Sequence, residues 1–592
     1  MHYFLFRRLH HSYILVSLAI GLILGVVISF FCNFWLFSSP IWLIVASTLL
    51  IVNFCLPHTL YLILSLFAGL ILGSFRTSLD LVDRDYIAQF VDQTVVVTGT
   101  LYEDPETAGG STTFRINNLV FGNDSHQKIV AGSIFVKFYG HKPLERSYQV
   151  TLTGKLSSGF GSFAGAMYAP TIDKISAPDL PDIALQYRNA FADLIKRFIS
   201  EPEVDLSLGY LLGQRRALPA TLLETLKIVG LTHIIVASGY NLSVLVRLTR
   251  RIFKKVSRFA ALFFGLLLVV VFIGVTGFTP SMSRAGLVAI LSLLAWFFGR
   301  KFHPAKLLLL VAAFTLMLNP IYIQDLGWLL SFASFAGVML LAPLLTAYFY
   351  NTSGTSQPVG DDVARPSPSP PVGRSGDGYP DVPSSSFQTH SPQIGRPFGN
   401  FQFPKSKINK SQKPRFLAFI KTSFLFQSFF SKRKIEKKKR VQEGMWARMR
   451  AKFGVDKKTD SPNFVAQIII ETIAAQLCCL PLLLYFFGTF SIVSLIANIL
   501  ILPTIPLVMA LTFATGVTAF LPFIASISGW LATQLLSYHI AVIEFFGNLP
   551  WALVAIPPEN PLTLLLYPIL LLVTIYIWRK TNYRLINVNV IE

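Results

Sequence analysis

The sequence predicts a polytopic α-helical membrane protein with about twelve spans and one small all-β domain outside the bilayer. Hydrophobic residues make up 53% of the chain and charged residues 14%, well below the roughly 25% charge of soluble domains. Apolar runs of roughly 17–25 residues recur along the chain, and one stretch instead alternates between apolar and polar residues. The bilayer is therefore the main solvent of this chain.

The first 75 residues are predicted to hold three spans, near 13–31, 41–56 and 58–74. Residues 76–180 follow, and in them apolar side chains alternate in four segments that begin at Thr94, Thr112, Ser133 and Tyr148. Gly, Pro, Asn and Asp residues separate these segments. The pattern predicts four or five strands in a small OB-like barrel.

Apolar segments long enough for helices resume in residues 181–349, the first half of a membrane core. The amphipathic stretch Tyr187 to Ile199 is predicted to lie in the membrane interface. Residues 465–592 form the second half and end in a short C-terminal tail. The nine spans predicted in the two halves lie near 228–246, 257–277, 281–299, 305–319, 326–349, 465–487, 490–516, 522–548 and 562–578.

A basic loop over residues 350–464 separates the two halves, with 21 Lys and Arg against 8 Asp and Glu. It begins with Pro, Ser and Gly and is predicted to be largely disordered. The positive-inside rule places it and both termini in the cytoplasm, and residues 76–180, with 9 Lys and Arg against 11 Asp and Glu, outside. Its strongest basic patch, a candidate for phosphate or anionic-lipid contact, is Lys437, Lys438, Lys439 and Arg440.

Polar residues interrupt several apolar runs, and in hydrocarbon each unsatisfied polar group costs several kcal/mol. They are therefore predicted to line a wet path, with His233, Ser238 and Asn241 on one broad face of a helix. Simpler explanations stay open: hydrogen bonding between helices for Ser238, snorkelling for Arg284 and helix capping for Asp325. The candidates are His233, Ser238, Gly239, Asn241, Arg284, Asp325, Glu471, Gln476 and Asn498.

Sequence motifs of several chemistries are missing from the chain: a phosphate-binding G-x-x-x-x-G-K-[ST] loop, H-E-x-x-H and G-x-S-x-G. We therefore predict neither an enzyme nor a cofactor, and no metal site. Any ATP-driven step must come from another protein.

Four segments, 230–243, 277–300, 325–345 and 474–503, resemble the ComEC-type competence proteins, in the order found in that family. The resemblance covers nearly everything except 350–464, and it implies a channel for single-stranded DNA across the cytoplasmic membrane in natural transformation. The chain departs from the family at Ser238-Gly239-Tyr240-Asn241, where the family has Ser-Gly-Leu-His. It also shows no metallo-β-lactamase-like domain after its last span, so a separate nuclease is expected.

The resemblance further implies that the β domain receives DNA, with an external DNA receptor as a partner. Because no ATPase motif is present, a cytoplasmic ATP-driven helicase or translocase, or capture of the strand, is expected to pull it inward. OB folds bind single strands by stacking bases on aromatic side chains. Candidates here are Arg115, Phe135, Lys137, Phe138 and Tyr139. Membrane lipid is a further partner, homo-oligomerisation is left open, and the alternatives are a secondary transporter of a small anionic or lipid-linked substrate and a membrane-anchored scaffold.

Overall fold

The computed structural model describes residues 11–32, 39–55, 60–108, 110–121, 128–140, 142, 144–178, 182–214, 218–232, 239–300, 303–350 and 464–581. Helices α1 (His11–Cys32), α2 (Ile41–Cys55) and α3 (Leu60–Ala88) come first. A Cβ atom added to Gly21 of α1 would lie 2.0 Å from the Leu66 carbonyl oxygen, and one added to Gly69 of α3 would lie 2.2 Å from that of Leu18. Small residues at this spacing let two apolar helices pack backbone to backbone.

Helix α3 continues well past the bilayer-length run and ends at Ala88, in front of the β domain. The strands are β1 (Thr94–Leu101), β2 (Glu106–Ala108), β3 (Ser111–Phe121), β4 (Lys128–Tyr139), β5 (Gln149–Ser158), β6 (Gly165–Tyr168) and β7 (Thr171–Ser176). Ile87, in the last turn of α3, is fully buried in the core of this domain. The first helical bundle and the β domain are thus joined by a continuous helix.

Five of the strands close into a barrel in the order β1, β3, β4, β6, β5 and back to β1. All neighbouring strands of the barrel are antiparallel except β4 and β6, which are parallel. The OB fold is likewise a five-stranded Greek-key barrel. The predicted OB-like domain is confirmed, with β2 and β7 as additional strands on β3 and β5.

The first half of the core contains α4 (Ile183–Lys196), α5 (Glu203–Leu212), α6 (Ala220–Val229), α7 (Gly239–Phe253), α8 (Arg258–Thr276), α9 (Pro280–Phe297) and α10 (Pro304–Leu318). A 3-10 turn (Pro320–Gln324) leads into α11 (Leu326–Ala336), a π turn (Gly337–Leu341) and α12 (Ala342–Tyr350). At Gly337 an added Cβ would lie 2.4 Å from the Ala474 carbonyl oxygen, so the chain passes very close to the second half here.

The second half consists of α13 (Phe464–Phe487), α14 (Ser494–Ile501), α15 (Ile505–Val517), α16 (Pro522–Gly547), a 3-10 turn (Pro561–Leu565) and α17 (Leu566–Thr581). Strand β8 (Thr489–Ser491) pairs with β9 (Leu553–Ala555), a short sheet that the sequence pattern did not predict. Helices α14 and α15 meet at a bend of 48°. Irregular backbone of this kind occurs at membrane depth where it is buried in protein or lines a cavity.

Within the described residues, seven helices are long and apolar enough to cross a membrane, and the bent pair α14 and α15 raises this to eight if it forms one span. Helices α2 and α10 are apolar but shorter. The predicted count of twelve is therefore not confirmed. Helix α6 ends at Val229 and Gly230 takes a left-handed φ of 74°, so the span predicted near 228–246 does not continue from α6. Residues 233–238 of that span lie outside the described residues.

Candidate functional site

An aromatic ridge crosses the outer surface of the barrel, and we define it as Phe135 on β4, Phe160 and Phe163 in the β5–β6 loop, and Tyr168 on β6. The Phe135 ring centroid lies 5.5 Å from those of Phe160 and Phe163 and 6.3 Å from that of Tyr168. Phe160 is 48% exposed and Tyr168 52%. The ridge offers ring faces to solvent, which is the surface that unpaired bases stack on.

The residues predicted to contact DNA on the external domain take different positions relative to this ridge. Lys137 lies on the same outward face of β4 as Phe135, with its Nζ 5.5 Å from the ring centroid of Tyr139, which is exposed. Phe138 instead packs against the barrel core, because successive strand residues point to opposite faces. Phe160, Phe163 and Tyr168 were missed from the sequence, although two of these aromatics lie in a glycine-containing turn between strands.

Arg115 lies beneath the ridge rather than on it. It pairs with Phe135 across the β3–β4 ladder, and its guanidinium is 4.4 Å from the Phe163 ring centroid. Its Nη2 donates to the Ser162 hydroxyl at 2.9 Å and lies 3.7 Å from an Asp325 carboxylate oxygen. The side chain is only 14% exposed, so it supports the loop that carries two ridge aromatics.

The β5–β6 loop is fastened to the helical core at Asp325. One carboxylate oxygen of Asp325 accepts from the Trp328 backbone N–H at 2.9 Å, so the predicted helix cap is confirmed at the start of α11. The other oxygen accepts from the Ser162 hydroxyl at 3.1 Å. Arg84 of α3 adds a second connection, donating to Gln324 Oε1 at 2.6 Å and to the Phe163 carbonyl at 2.9 Å.

A second junction joins the barrel to α4 and α8 through Arg146. Its guanidinium bonds Asp182, the N-cap of α4, at 3.0 Å and donates to the Gly274 carbonyl at 3.0 Å near the end of α8. Burial acts to raise the pKa of Asp182. The Leu185 N–H, the Arg146 charge and the Ser147 hydroxyl outweigh burial and hold that pKa below its ordinary value. The barrel is therefore fixed to the core at two separate places.

Inside the core, Arg284 of α9 is 9% exposed. Its Nε donates to the Ser331 hydroxyl of α11 at 2.6 Å, and Ser331 lies 3.2 Å from the Ser281 hydroxyl. Its guanidinium carbon lies 5.3 Å from the ring centroid of Phe335, a cation–π contact. No carboxylate of the described residues lies within salt-bridge distance of it, and its contacts there are the Ser331 hydroxyl and an aromatic face.

Gly239 of α7 packs directly against Arg284. A Cβ added to Gly239 would lie 3.2 Å from Arg284 Nη2, so glycine allows the guanidinium to approach the backbone of α7. Asn241 is fully buried and donates from Nδ2 to the Tyr210 carbonyl of α5 at 2.9 Å. This bond ties α7 to α5.

His233 and Ser238 lie outside the described residues. Their predicted common face with Asn241 therefore stays a prediction. The basic patch Lys437, Lys438, Lys439 and Arg440 also lies outside the described residues.

The remaining polar candidates lie on the second half. Gln476 of α13 donates to the Ser494 hydroxyl at 2.9 Å, and Asn498 of α14 donates to the same hydroxyl at 3.3 Å. The structure thus brings Gln476 and Asn498 together beside Gly230, whose added Cβ would lie 3.0 Å from Ser494 Oγ. Glu471 is separate and accepts from Gln467 at 2.8 Å, one turn earlier on α13.

The described residues contain no group of three or more His, Cys, Asp or Glu side chains that could hold a metal ion. The described Cys478 and Cys479 are unpaired and lie partly buried among the helices.

Comparison with known proteins identifies the family. The sequence model of the family described as "Competence protein" matches residues 210–360 and 417–581, more than half of the chain. These segments contain Arg284, Ser331, Gln476 and Asn498. Comparison with curated proteins and with solved structures gave no match. With its apolar helices and its OB-like barrel, the chain is a membrane protein that belongs to the competence protein family.

Proposed function

We propose that this protein passes single-stranded DNA through the cytoplasmic membrane during natural transformation, with Arg284 contacting the phosphates of the moving strand. The observation that carries the proposal is a buried arginine on a family-matched helix with no acidic partner among the described residues. A role in DNA uptake follows from the family, and the path through the core is the added step.

The electrostatics of Arg284 favour an anionic ligand. Burying an uncompensated charge costs several kcal/mol, and hydroxyls recover only part of this. A single strand carries one negative charge per nucleotide, so a phosphate beside the guanidinium compensates the charge.

The aromatic ridge supplies the external end of the path. Stacking of bases on aromatic side chains contributes about 1–3 kcal/mol per base, and Lys137 adds a positive charge beside the ridge. The loop that carries Phe160 and Phe163 contacts Asp325, the residue before α11. Ser331 lies six residues further along that helix, about 9 Å by helical rise, and contacts Arg284.

Charge along the sequence supports the orientation of this path. The basic loop 350–464 and both termini lie in the cytoplasm and the barrel outside, as the positive-inside rule favours. The strand is received from an external DNA receptor, its complement is removed by a separate nuclease, and a cytoplasmic ATP-driven helicase or translocase pulls it inward. Lys437, Lys438, Lys439 and Arg440 then hold the emerging strand by phosphate contacts.

Replacement of Arg284 tests the proposal. We expect Arg284→Leu to leave the protein in the membrane and DNA bound at the cell surface, and to lower delivery of labelled DNA to the cytoplasm at least about tenfold, because a phosphate contact of this kind is worth about 1.5–3 kcal/mol. Arg284→Lys keeps the charge and should retain part of the delivery.

The matched control is Arg250→Leu, which removes an arginine that lies over Trp296 rather than beside Ser331. Normal delivery by Arg284→Leu at a normal amount of membrane protein would contradict the proposal. Loss of a small-anion flux in that variant, with DNA delivery unchanged, would favour the alternative of a secondary transporter.

A further inference from the structure

A cleft of about 370 Å³ opens where the barrel meets α4 and the α8–α9 turn. The residues that line it include Tyr102, Asn117, Asn118, Gly277, Phe278, Arg146 and Asp182. The aromatic ridge is not part of this lining. The cleft therefore lies at a junction between domains, where ligand sites are common.

A break in the barrel's hydrogen-bond ladders shapes one wall. The register shifts between Thr98 and Thr100 on β1 and between Asn117 and Leu119 on β3. Asn118, at the second shift, has a φ of 52° and an exposed side chain. Such bulges redirect side chains and are frequent beside functional sites.

Asn117 carries an unsatisfied acceptor at this wall. Its Oδ1 is buried and has no hydrogen-bond partner among the described residues. Leaving a buried acceptor unpaired costs about 1–3 kcal/mol. A ligand that donates a hydrogen bond to this amide would recover that cost.

The lining also contains an aromatic residue, Phe278, from the α8–α9 turn. Phe278 is 56% exposed. Gly277 has a φ of 94°, and an added Cβ would lie 3.2 Å from Arg146 Nη1. A larger residue there would strain the turn and crowd the arginine, so the glycine keeps the cleft open.

The charge in the cleft is already compensated. Arg146 bonds the Asp182 carboxylate and two carbonyl groups of α8, which leaves it without a free anion-binding face. The cleft thus combines a ring face and neutral amides without net positive charge. These groups match a nucleobase better than a phosphate.

We infer that this cleft holds one unpaired nucleobase of single-stranded DNA, stacked on Phe278 and hydrogen-bonded by Asn117. The inference rests on the proposed function and adds a base-binding step between the external barrel and the core. The base donates an N–H group to Asn117 Oδ1, which is buried in this structure, so binding requires the amide to rotate toward the cleft. The sugar and phosphate remain at the open side.

Binding to the purified full-length protein in detergent micelles tests the inference. The probes are a fluorescent oligothymidylate and the same strand with abasic sites, which keeps the phosphates and lacks the bases. We expect Phe278→Ala and Asn117→Leu each to weaken binding of the oligothymidylate about five- to tenfold and to leave binding of the abasic strand unchanged. Phe263→Ala is the matched control, because Phe263 is an exposed ring on α8 that the cleft does not include.

Unchanged binding of both strands in both cleft variants would overturn the inference, and so would an equal loss for both strands. Photocrosslinking gives an independent readout: an oligonucleotide containing 5-iododeoxyuridine should crosslink to the segment around Phe278, and its absence from that segment would also contradict a bound base. If Arg284→Leu lowers DNA delivery but Phe278→Ala and Asn117→Leu leave DNA binding unchanged, the base-binding cleft is rejected and the proposed channel stands. If the two cleft variants weaken binding as expected but Arg284→Leu delivers DNA normally, the proposed channel is rejected.

Discussion

The ion pair between Arg146 and Asp182 joins the barrel to the helical core, so its loss should loosen that junction. Arg146→Ala removes a side chain that is 8% exposed and bonds Asp182 Oδ2 at 3.0 Å. It also leaves the Gly274 carbonyl at the end of α8 without its side-chain donor. Asp182 keeps two partners, the Ser147 hydroxyl and the Leu185 N–H.

The expected cost follows from these contacts. Removing one partner of a buried ion pair costs about 3–5 kcal/mol, and the two retained partners and 18% exposure of Asp182 place this case at the lower end, about 3 kcal/mol. Asp182→Asn keeps the cap acceptor and loses only the charge, so we expect about 1–2 kcal/mol. The double variant should then cost less than the sum by at least about 1 kcal/mol.

Denaturant titration of the protein in detergent micelles, followed by tryptophan fluorescence, measures these differences. The pH dependence has a definite sign, because the pKa of Asp182 is lowered in the folded protein. Its contribution is complete above the unfolded value of about 3.9 and is lost as the pH falls through the lower folded pKa. Additive costs in the double variant, or an Asp182→Asn protein that loses the same stability as the wild type when the pH falls below about 3.9, would refute this reasoning.

Two further predictions concern packing and the aromatic ridge. Gly69→Ala should lower the free energy of unfolding by about 2–3 kcal/mol, because its Cβ would lie 2.2 Å from the Leu18 carbonyl oxygen. The control Gly274→Ala, whose Cβ would have its nearest contact at 3.6 Å, should change the free energy of unfolding by less than about 0.5 kcal/mol. Equal effects of the two substitutions would contradict the close contact between α1 and α3. Phe160→Ala should weaken single-stranded DNA binding about tenfold in a fluorescence anisotropy titration with folding unchanged, and unaltered affinity would remove the ridge from the DNA path.

Apolar run length predicted the positions of most helices, because the bilayer fixes how long such a run must be. It did not predict the interruption at Gly230, where a left-handed cap ends α6 inside an otherwise apolar stretch. Alternation predicted β1, β3, β4 and β5 for a similar reason. Strand β6 has four residues, too few for a periodic signal, and its parallel pairing with β4 depends on closure of the barrel.

Among the polar candidates, too, some could be found from the sequence and others only from the packing. Arg284 was found because a charge in an apolar run is costly wherever the helix packs. Its partner Ser331 lies 47 residues away, so only the packing of α9 on α11 reveals that contact. Phe160 and Phe163 were missed because loop aromatics have no period, and they become a surface only when the barrel brings them beside Phe135.

A cysteine at Ser281 gives the most direct measurement of the central claim, that the strand passes Arg284. Ser281 lies 3.2 Å from Ser331, which contacts Arg284, and Ser281→Cys changes little in volume. In a protein otherwise free of cysteine, a DNA strand whose phosphates carry tethered 2-pyridyl disulfides, stalled in the membrane by a bulky end group, should form a mixed disulfide with the cysteine at position 281 by exchange, with release of pyridine-2-thione. Phe263→Cys, on an exposed part of α8, is the control and should form none. A stalled strand that fails to react at position 281, or reacts equally at both positions, would contradict the account.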